Sequence, residues 1–150
     1  MHVIVNRLIG MRLTKYSDFA LRTLIYMATA DRRCTINEIA QSYSIPKNHL
    51  VKVVNQLASI GFIESIRGKG GGIELAYEPS SINLGEVVRA TEQSFDLVEC
   101  FSLENQCVLT PSCLLANIIS QALDQFLAVL DEYTLEDLLA PKVTVLLNLN

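Results

Sequence analysis

The chain has 150 residues, half of them apolar, and a formal net charge of -4, enough to bury one sizeable core with an appended element. No apolar run approaches the roughly 18 residues that span a bilayer, and the opening MHVIVNRLIG lacks a signal-peptide core with a small-residue cleavage site, so neither a membrane protein nor a secreted one is expected and the predicted location is the cytoplasm. Four cysteines are too few for a disulfide scaffold, and in a reducing cytosol clustered thiols point to metal binding or reactivity.

Charge is divided unevenly along the chain. Residues 11 to 72 carry nine Lys or Arg against four acids, whereas residues 73 to 150 carry two against twelve. A basic front on an acidic chain is the footprint of a phosphate-binding module joined to a segment that stays off nucleic acid, the other reading being two ordinary solvated surfaces.

From Ser17 to Ala30, Phe19, Ala20, Leu24, Met27 and Ala28 recur at helical spacing, with Ser17 or Asp18 placed to cap a first helix. Thr35-Ile36-Asn37-Glu38 fits a capping box for a second, two-turn helix carrying Ile36, Ile39, Ala40 and Tyr43. Pro46 suits the first turn of a third, in which Leu50, Val53, Val54, Leu57 and Ala58 line one face up to a stop at Gly61. The period then changes to strand-like alternation at 62–66 and 73–77, flanking Arg67-Gly68-Lys69-Gly70-Gly71-Gly72, which predicts a hairpin with a basic tip. Helix, short helix, turn, helix and basic hairpin is the order of a winged helix-turn-helix. A helix is predicted over 84–92 and a loop over 93–110.

A long helix is predicted over 112–132, with Leu115, Ile119, Ala122, Phe126, Val129 and Tyr133 forming a seam for a coiled-coil partner, and Leu114, Ile118, Leu123, Leu127 and Leu130 forming a second line beside it. Homodimerisation through this helix is expected, burial in a larger monomeric core being the other outcome. The fold class is therefore mainly α with a small β-hairpin wing, divided into an extension (1–10), the winged helix-turn-helix (11–92), a cysteine loop (93–113) and a dimerisation helix with the C-terminal segment (112–150).

On the third helix, Lys47, Asn48, His49, Lys52, Asn55 and Gln56 lie off the apolar face. Lys can read guanine and Asn or Gln adenine, the mixture a recognition helix needs. The glycine stretch lacks the Lys-Ser/Thr ending of a nucleotide-phosphate loop, so Arg67 and Lys69 read as a wing on a sugar-phosphate edge, or as a flexible turn. Cys100, Cys107 and Cys113 are spaced C-x6-C-x5-C, unlike common zinc sites or the CxxC redox motif. Zinc is disfavoured without being excluded. Cys113, expected in the first turn of the long helix after Pro111, is stabilised there as a thiolate, and three thiolates can hold a cluster. Cys34 reads as a buried structural thiol. No catalytic His-acid grouping is present, so no enzyme activity is expected.

Taken together, Met11-Arg12-Leu13-Thr14-Lys15-Tyr16-Ser17-Asp18, the wing and the cysteine triad resemble the Rrf-type transcription regulators over residues 11 to about 140. The match is nearest to the family's nitric-oxide-sensitive repressors, since the triad is followed by a long helix and then by Asp131-Glu132-Tyr133-Thr134-Leu135-Glu136-Asp137-Leu138. The resemblance implies a DNA-binding homodimer whose three cysteines hold an iron-sulfur cluster, 4Fe-4S in preference to 2Fe-2S, and which releases its operator when nitric oxide nitrosylates the cluster. It implies Arg12 and Lys15 at the DNA, and Asp18 of the other subunit as fourth ligand; by residue type alone, Asp18 is a helix cap or first-turn acid. Members that sense cluster or iron supply add a histidine three positions after the last cysteine, where this chain has Ala116. A regulator of that kind is the alternative, and a cluster-carrying enzyme or electron carrier a weaker one. Family members usually begin at the methionine matching Met11, so residues 1–10 are expected to be an extension or a misassigned start.

Overall fold

The structure, a computed structural model, describes residues 11–149; the extension expected at 1–10 lies outside the described residues. The molecule is mainly helical, with one antiparallel two-stranded hairpin. Helix α1 (Lys15–Ala30) begins two residues before the predicted start, because Thr14 and not Ser17 or Asp18 is its cap: the Thr14 hydroxyl accepts the Ser17 N–H at 3.2 Å. Helix α2 (Ile36–Tyr43) is capped by Thr35, whose hydroxyl accepts the Glu38 N–H. Helix α3 (Lys47–Ile60) follows Pro46 and stops at Gly61, whose left-handed φ of 100° favours glycine.

The apolar periodicities converge on one core. Leu24, Ile39, Leu50, Leu57, Ile82 and Leu135 are fully buried, each contributing about 1.5–3 kcal/mol of transfer free energy. Strands β1 (Ile63–Ile66) and β2 (Gly72–Leu75) pair Ile63 with Leu75 and Ile66 with Gly72. Not anticipated is a third short edge: Cys34 and Ile73 exchange both backbone hydrogen bonds, at 2.9 and 2.8 Å. They tie the α1–α2 connection to the hairpin. This close approach explains Gly72, where a Cβ would run into the Cys34 carbonyl oxygen, and Gly71, where it would meet those of Ile66 and Gly68. Arg33 braces the same place, pairing with Glu74 and donating to the Gly70 carbonyl at 2.9 Å. The hairpin tip is therefore a held wing and not a free turn.

Helix α4 (Leu84–Thr91) is capped by Asn83 and ends at Glu92. After the loop, α5 (Leu114–Asp131) starts two residues later than predicted, since Thr110–Ser112 form a 3-10 turn and Cys113 is the cap. The C-terminal end of α5 is clamped to α4. Arg89 forms a two-pronged pair with Asp131 at 2.5 and 2.7 Å, Leu84 donates to the Tyr133 carbonyl and Leu135 to that of Ile82. A Cβ at Gly85 would displace the Asp131 carboxylate from its place beside Arg89. A short helix α6 (Pro141–Leu146), which the sequence pattern does not predict, closes the described chain.

Helix α5 separates the two predicted apolar lines differently from the expected grouping. Leu127 is buried and Ile119, Leu123 and Leu130 half-buried, so this side of α5 is turned toward its own subunit, where α5 packs on α4. The adjoining stripe stays open, with Leu115, Ile118 and Val129 at 60, 53 and 53 % exposure and Phe126 also exposed. Against the sequence expectation, α5 is long and apolar enough by length and composition to cross a membrane. Most of its polar positions are uncharged, Asn117, Ser120, Gln121 and Gln125, with Asp124 the one charge before the terminal Asp131.

Candidate nucleic-acid interface and cysteine loop

Helix α3 buries Leu50, Val53, Val54 and Leu57 and leaves Lys47, Asn48, His49, Lys52 and Asn55 exposed. One apolar stripe of a 3.6-residue repeat thus leaves five of the six predicted contact residues in solvent. Gln56 differs: it is half-buried, and its side-chain amide donates to the Ala90 carbonyl of α4 at 3.3 Å. It lies on the border of the apolar stripe, where the neighbouring helix engages it. Pro46 offers no side-chain cap to α3, and its carbonyl accepts the His49 N–H at 3.0 Å, so of the first turn only the Lys47 and Asn48 N–H groups are left to meet water or an anion.

The cations sort themselves by partner. Arg22, Arg32, Arg33 and Arg89 are paired with Asp18, Glu38, Glu74 and Asp131. Among the described residues, Arg12, Lys15, Lys47, Lys52, Arg67, Lys69 and Lys142 are in no ion pair, and all seven are exposed; the first six lie at the α1 start, on α3 and on the hairpin, and Lys142 on α6. Arginines that brace the scaffold are thereby distinguished from cations that face solvent. Tyr16, next to Lys15 on α1, joins that helix to α3 by donating its hydroxyl to the Lys52 carbonyl at 3.3 Å; burial raises the Tyr16 phenol pKa, which preserves that donor.

Cys100, Cys107 and Cys113 are half-buried free thiols in the segment between α4 and α5. Cys100 sits in a 3-10 turn (Glu99–Phe101), and Cys113 caps α5 without a side-chain cap bond. Between them, the Cys107 N–H donates to Asn105 and the Gln106 N–H to Glu99. Local turns thus hold each cysteine separately, and among the described residues no three His, Cys, Asp or Glu side chains stand together as a single-ion site. Asp18 lies in the first turn of α1, paired with Arg22 at 2.8 Å, while Arg22 also sits 6.0 Å over the Tyr43 ring.

Cys34 differs from the other three. It is 1 % exposed, and burial, reinforced by Glu38, pushes its pKa up to about 12. The thiolate is the reactive form. Iodoacetamide at neutral pH is therefore expected to label the three loop cysteines of cluster-free protein at least ~100-fold faster than Cys34; peptide mass spectrometry reads the order, and equal labelling would contradict a structural role for Cys34.

The family model described as Rrf2, iron-dependent transcriptional regulator, matches residues 13–141. The HTH-type transcriptional regulator NsrR of Bacillus licheniformis is 50 % identical over 132 residues, covering 86 % of this chain and 92 % of that protein. Its Bacillus subtilis counterpart is 49 % identical over 140 residues, covering 91 % and 95 %. Among solved structures, CymR, the global cysteine regulator of B. subtilis, superposes with a TM-score of 0.65 at 29 % identity, covering 86 % of this chain and 96 % of that one. The matched proteins are regulators of transcription and not enzymes. With the family model spanning the helix-turn-helix, the wing, the cysteine loop and α5, the chain belongs to the Rrf2 family of iron-dependent transcriptional regulators.

Proposed function

We infer that the protein is a cytoplasmic, homodimeric repressor that binds operator DNA through α3 and the wing and senses nitric oxide through an iron-sulfur cluster. Cys100, Cys107 and Cys113 hold the cluster, 4Fe-4S in preference to 2Fe-2S, and the operator is released when it is nitrosylated. The chain divides accordingly into a DNA-binding unit (11–92), a sensing loop (93–113) and a dimerising segment (112–150), with the open stripe of α5 meeting its copy in a second subunit. One observation carries the reading: a face of unpaired cations on α3 and the wing shares a compact molecule with a loop of three free thiols.

The donor set suits the group. Three thiols within fourteen residues are cluster donors by type, and several irons space their thiolates wider than one ion's coordination sphere. When bound, the cluster supplies iron that takes up nitric oxide. Asp18 is the fourth ligand, offered from the partner subunit. To serve there its carboxylate gives up Arg22, an exposed i,i+4 pair worth only about 0.3–0.5 kcal/mol. As an oxygen donor it is harder than a thiolate, and so the most easily displaced ligand.

The test begins with a duplex selected from a random pool by the cluster-loaded dimer without oxygen. Operator affinity is expected to fall by ~100-fold or more after stoichiometric nitric oxide. Unchanged affinity refutes the sensing role. The family's iron dependence favours one second reading, a sensor of iron or cluster supply; loss of binding on iron removal but not on nitric oxide selects it. Absorbance with iron and sulfide analysis gives the cluster type.

A further inference from the structure

Four tertiary hydrogen bonds at three junctions close a ring around the root of the cysteine loop. Glu92, the C-cap of α4 and the last residue before the loop, accepts the Thr14 N–H at 2.8 Å and the Thr14 hydroxyl at 3.1 Å. Thr14 is the cap of α1, and two residues on, Tyr16 donates to the Lys52 carbonyl of α3 at 3.3 Å. One turn further along α3, Gln56 donates to Ala90, two residues before Glu92. The circuit therefore runs from α3 to α4, across Glu92 to α1, and back to α3.

Each junction lies at a rigid place. The Glu92 N–H is bonded to the Val88 carbonyl at 2.9 Å, and buried Thr91 beside it bonds back to Val87 at 2.8 Å. Thr14 is fixed by capping Ser17. Two of the three junctions grip α3 itself, at Lys52 and Gln56, on either side of Asn55. The third, Thr14 to Glu92, bypasses α3 and completes the circuit at the point where the loop departs. A displacement of the loop root therefore reaches α3 through two attachment points instead of one.

We propose that Glu92 is a positioning residue for operator binding, setting the tilt of α3 through Thr14 and Tyr16 on one side and through Ala90 and Gln56 on the other. The inference rests on the reading of 93–113 as the sensing loop, and it names the path by which that loop reaches the DNA-facing helix. Glu92 touches no DNA; it acts through its ring partners.

Glu92→Ala removes the acceptor, whereas Glu92→Gln keeps a side-chain oxygen at the same place and removes only the charge. In the cluster-loaded dimer without nitric oxide, Glu92→Ala is expected to lose ~10-fold in affinity for the selected duplex, with affinity for unrelated duplex and its salt dependence unchanged, and Glu92→Gln to restore most of the loss. Tyr16→Phe, a gentler cut at another junction, should cost a similar factor. The double variant should lose much less than the product of the single losses, because a ring already opened cannot be opened again. Full operator affinity in Glu92→Ala, equal loss in Glu92→Gln, or multiplicative losses in the double variant overturn the proposal. Failure of wild type to select any duplex overturns the functional reading instead. In that event amide exchange across α3 in DNA-free protein decides the ring: faster exchange in Glu92→Ala than in Glu92→Gln supports it, and equal exchange overturns it.

Discussion

Replacing Leu115 and Val129 by glutamate is expected to leave a folded monomer that binds a selected operator ~1,000-fold more weakly than the parent. Both side chains are more than half exposed in the single chain, so their exchange costs the subunit little, within ~0.5 kcal/mol each for surface positions away from caps and ion pairs. The dimer, in contrast, would bury four carboxylates along one seam without partners, at a cost that opposes assembly. Affinity falls because one winged helix engages one half-site, and the second half-site no longer adds its contacts. Sedimentation at micromolar concentration checks the assembly and fluorescence anisotropy the binding. A double variant that sediments as the parent would remove α5 from the interface and leave its open stripe without a role. Changing the inner stripe gives a different result: Leu127→Ala is expected to cost the subunit about 2–5 kcal/mol, since Leu127 is buried within its own subunit.

The second large effect belongs to the loop. Cys113→Ser is expected to abolish the cluster absorbance, to lower operator affinity ~1,000-fold toward the non-specific level, and to remove any response to nitric oxide. The cysteine is half-buried and makes no side-chain cap bond to α5, so the exchange leaves thermal stability of the cluster-free protein nearly unchanged. Cys34→Ala provides the contrast. That thiol is buried against the α1–α2 turn, donating to the Arg32 carbonyl at 3.2 Å, and its removal is expected to lower stability by about 1–3 kcal/mol while the cluster remains. Iron and sulfide analysis beside thermal melts separates the two roles. Iron retained in Cys113→Ser at the parental stoichiometry would contradict the ligand assignment.

The arrangement gives these predictions a common physical basis. The C-terminal end of α5 is clamped to α4 by the Arg89–Asp131 pair, by the Asn83 side-chain amide donating to the Asp131 carbonyl and by the Asn83–Thr134 bridge, whereas its other end begins at Cys113, in the cysteine loop. The loop's second root, at Glu92, is bonded to the cap of α1. Both ends of the loop thus attach to elements that touch α3 directly or through one neighbour. A local change in the loop has short mechanical routes to the recognition face.

The three N-terminal helices and the hairpin are legible in the amino acids alone, because helical spacing, Thr35 with Glu38, the Gly61 stop and the switch to alternation at Phe62 depend on interactions within a few residues. The family, too, is recognisable from the opening MRLTKYSD segment, the wing and the three cysteines, since their spacing along the chain is itself the signal. Features set by distant partners are not legible in this way. Thr14 caps α1, and Glu92 holds Thr14 from 78 positions away. Gln56 has the pattern of a base-reading side chain and is turned inward by Ala90. Gly72 suggests flexibility and is instead a close approach to Cys34. On α5, the sequence determines a wide apolar band, but which stripe faces inward is decided by the Arg89–Asp131 clamp, since a helix with apolar residues over half its circumference has no intrinsic preference for one side. Local bonding and periodicity can be read from neighbours in the chain; orientation and long-range pairing exist only once the elements have packed.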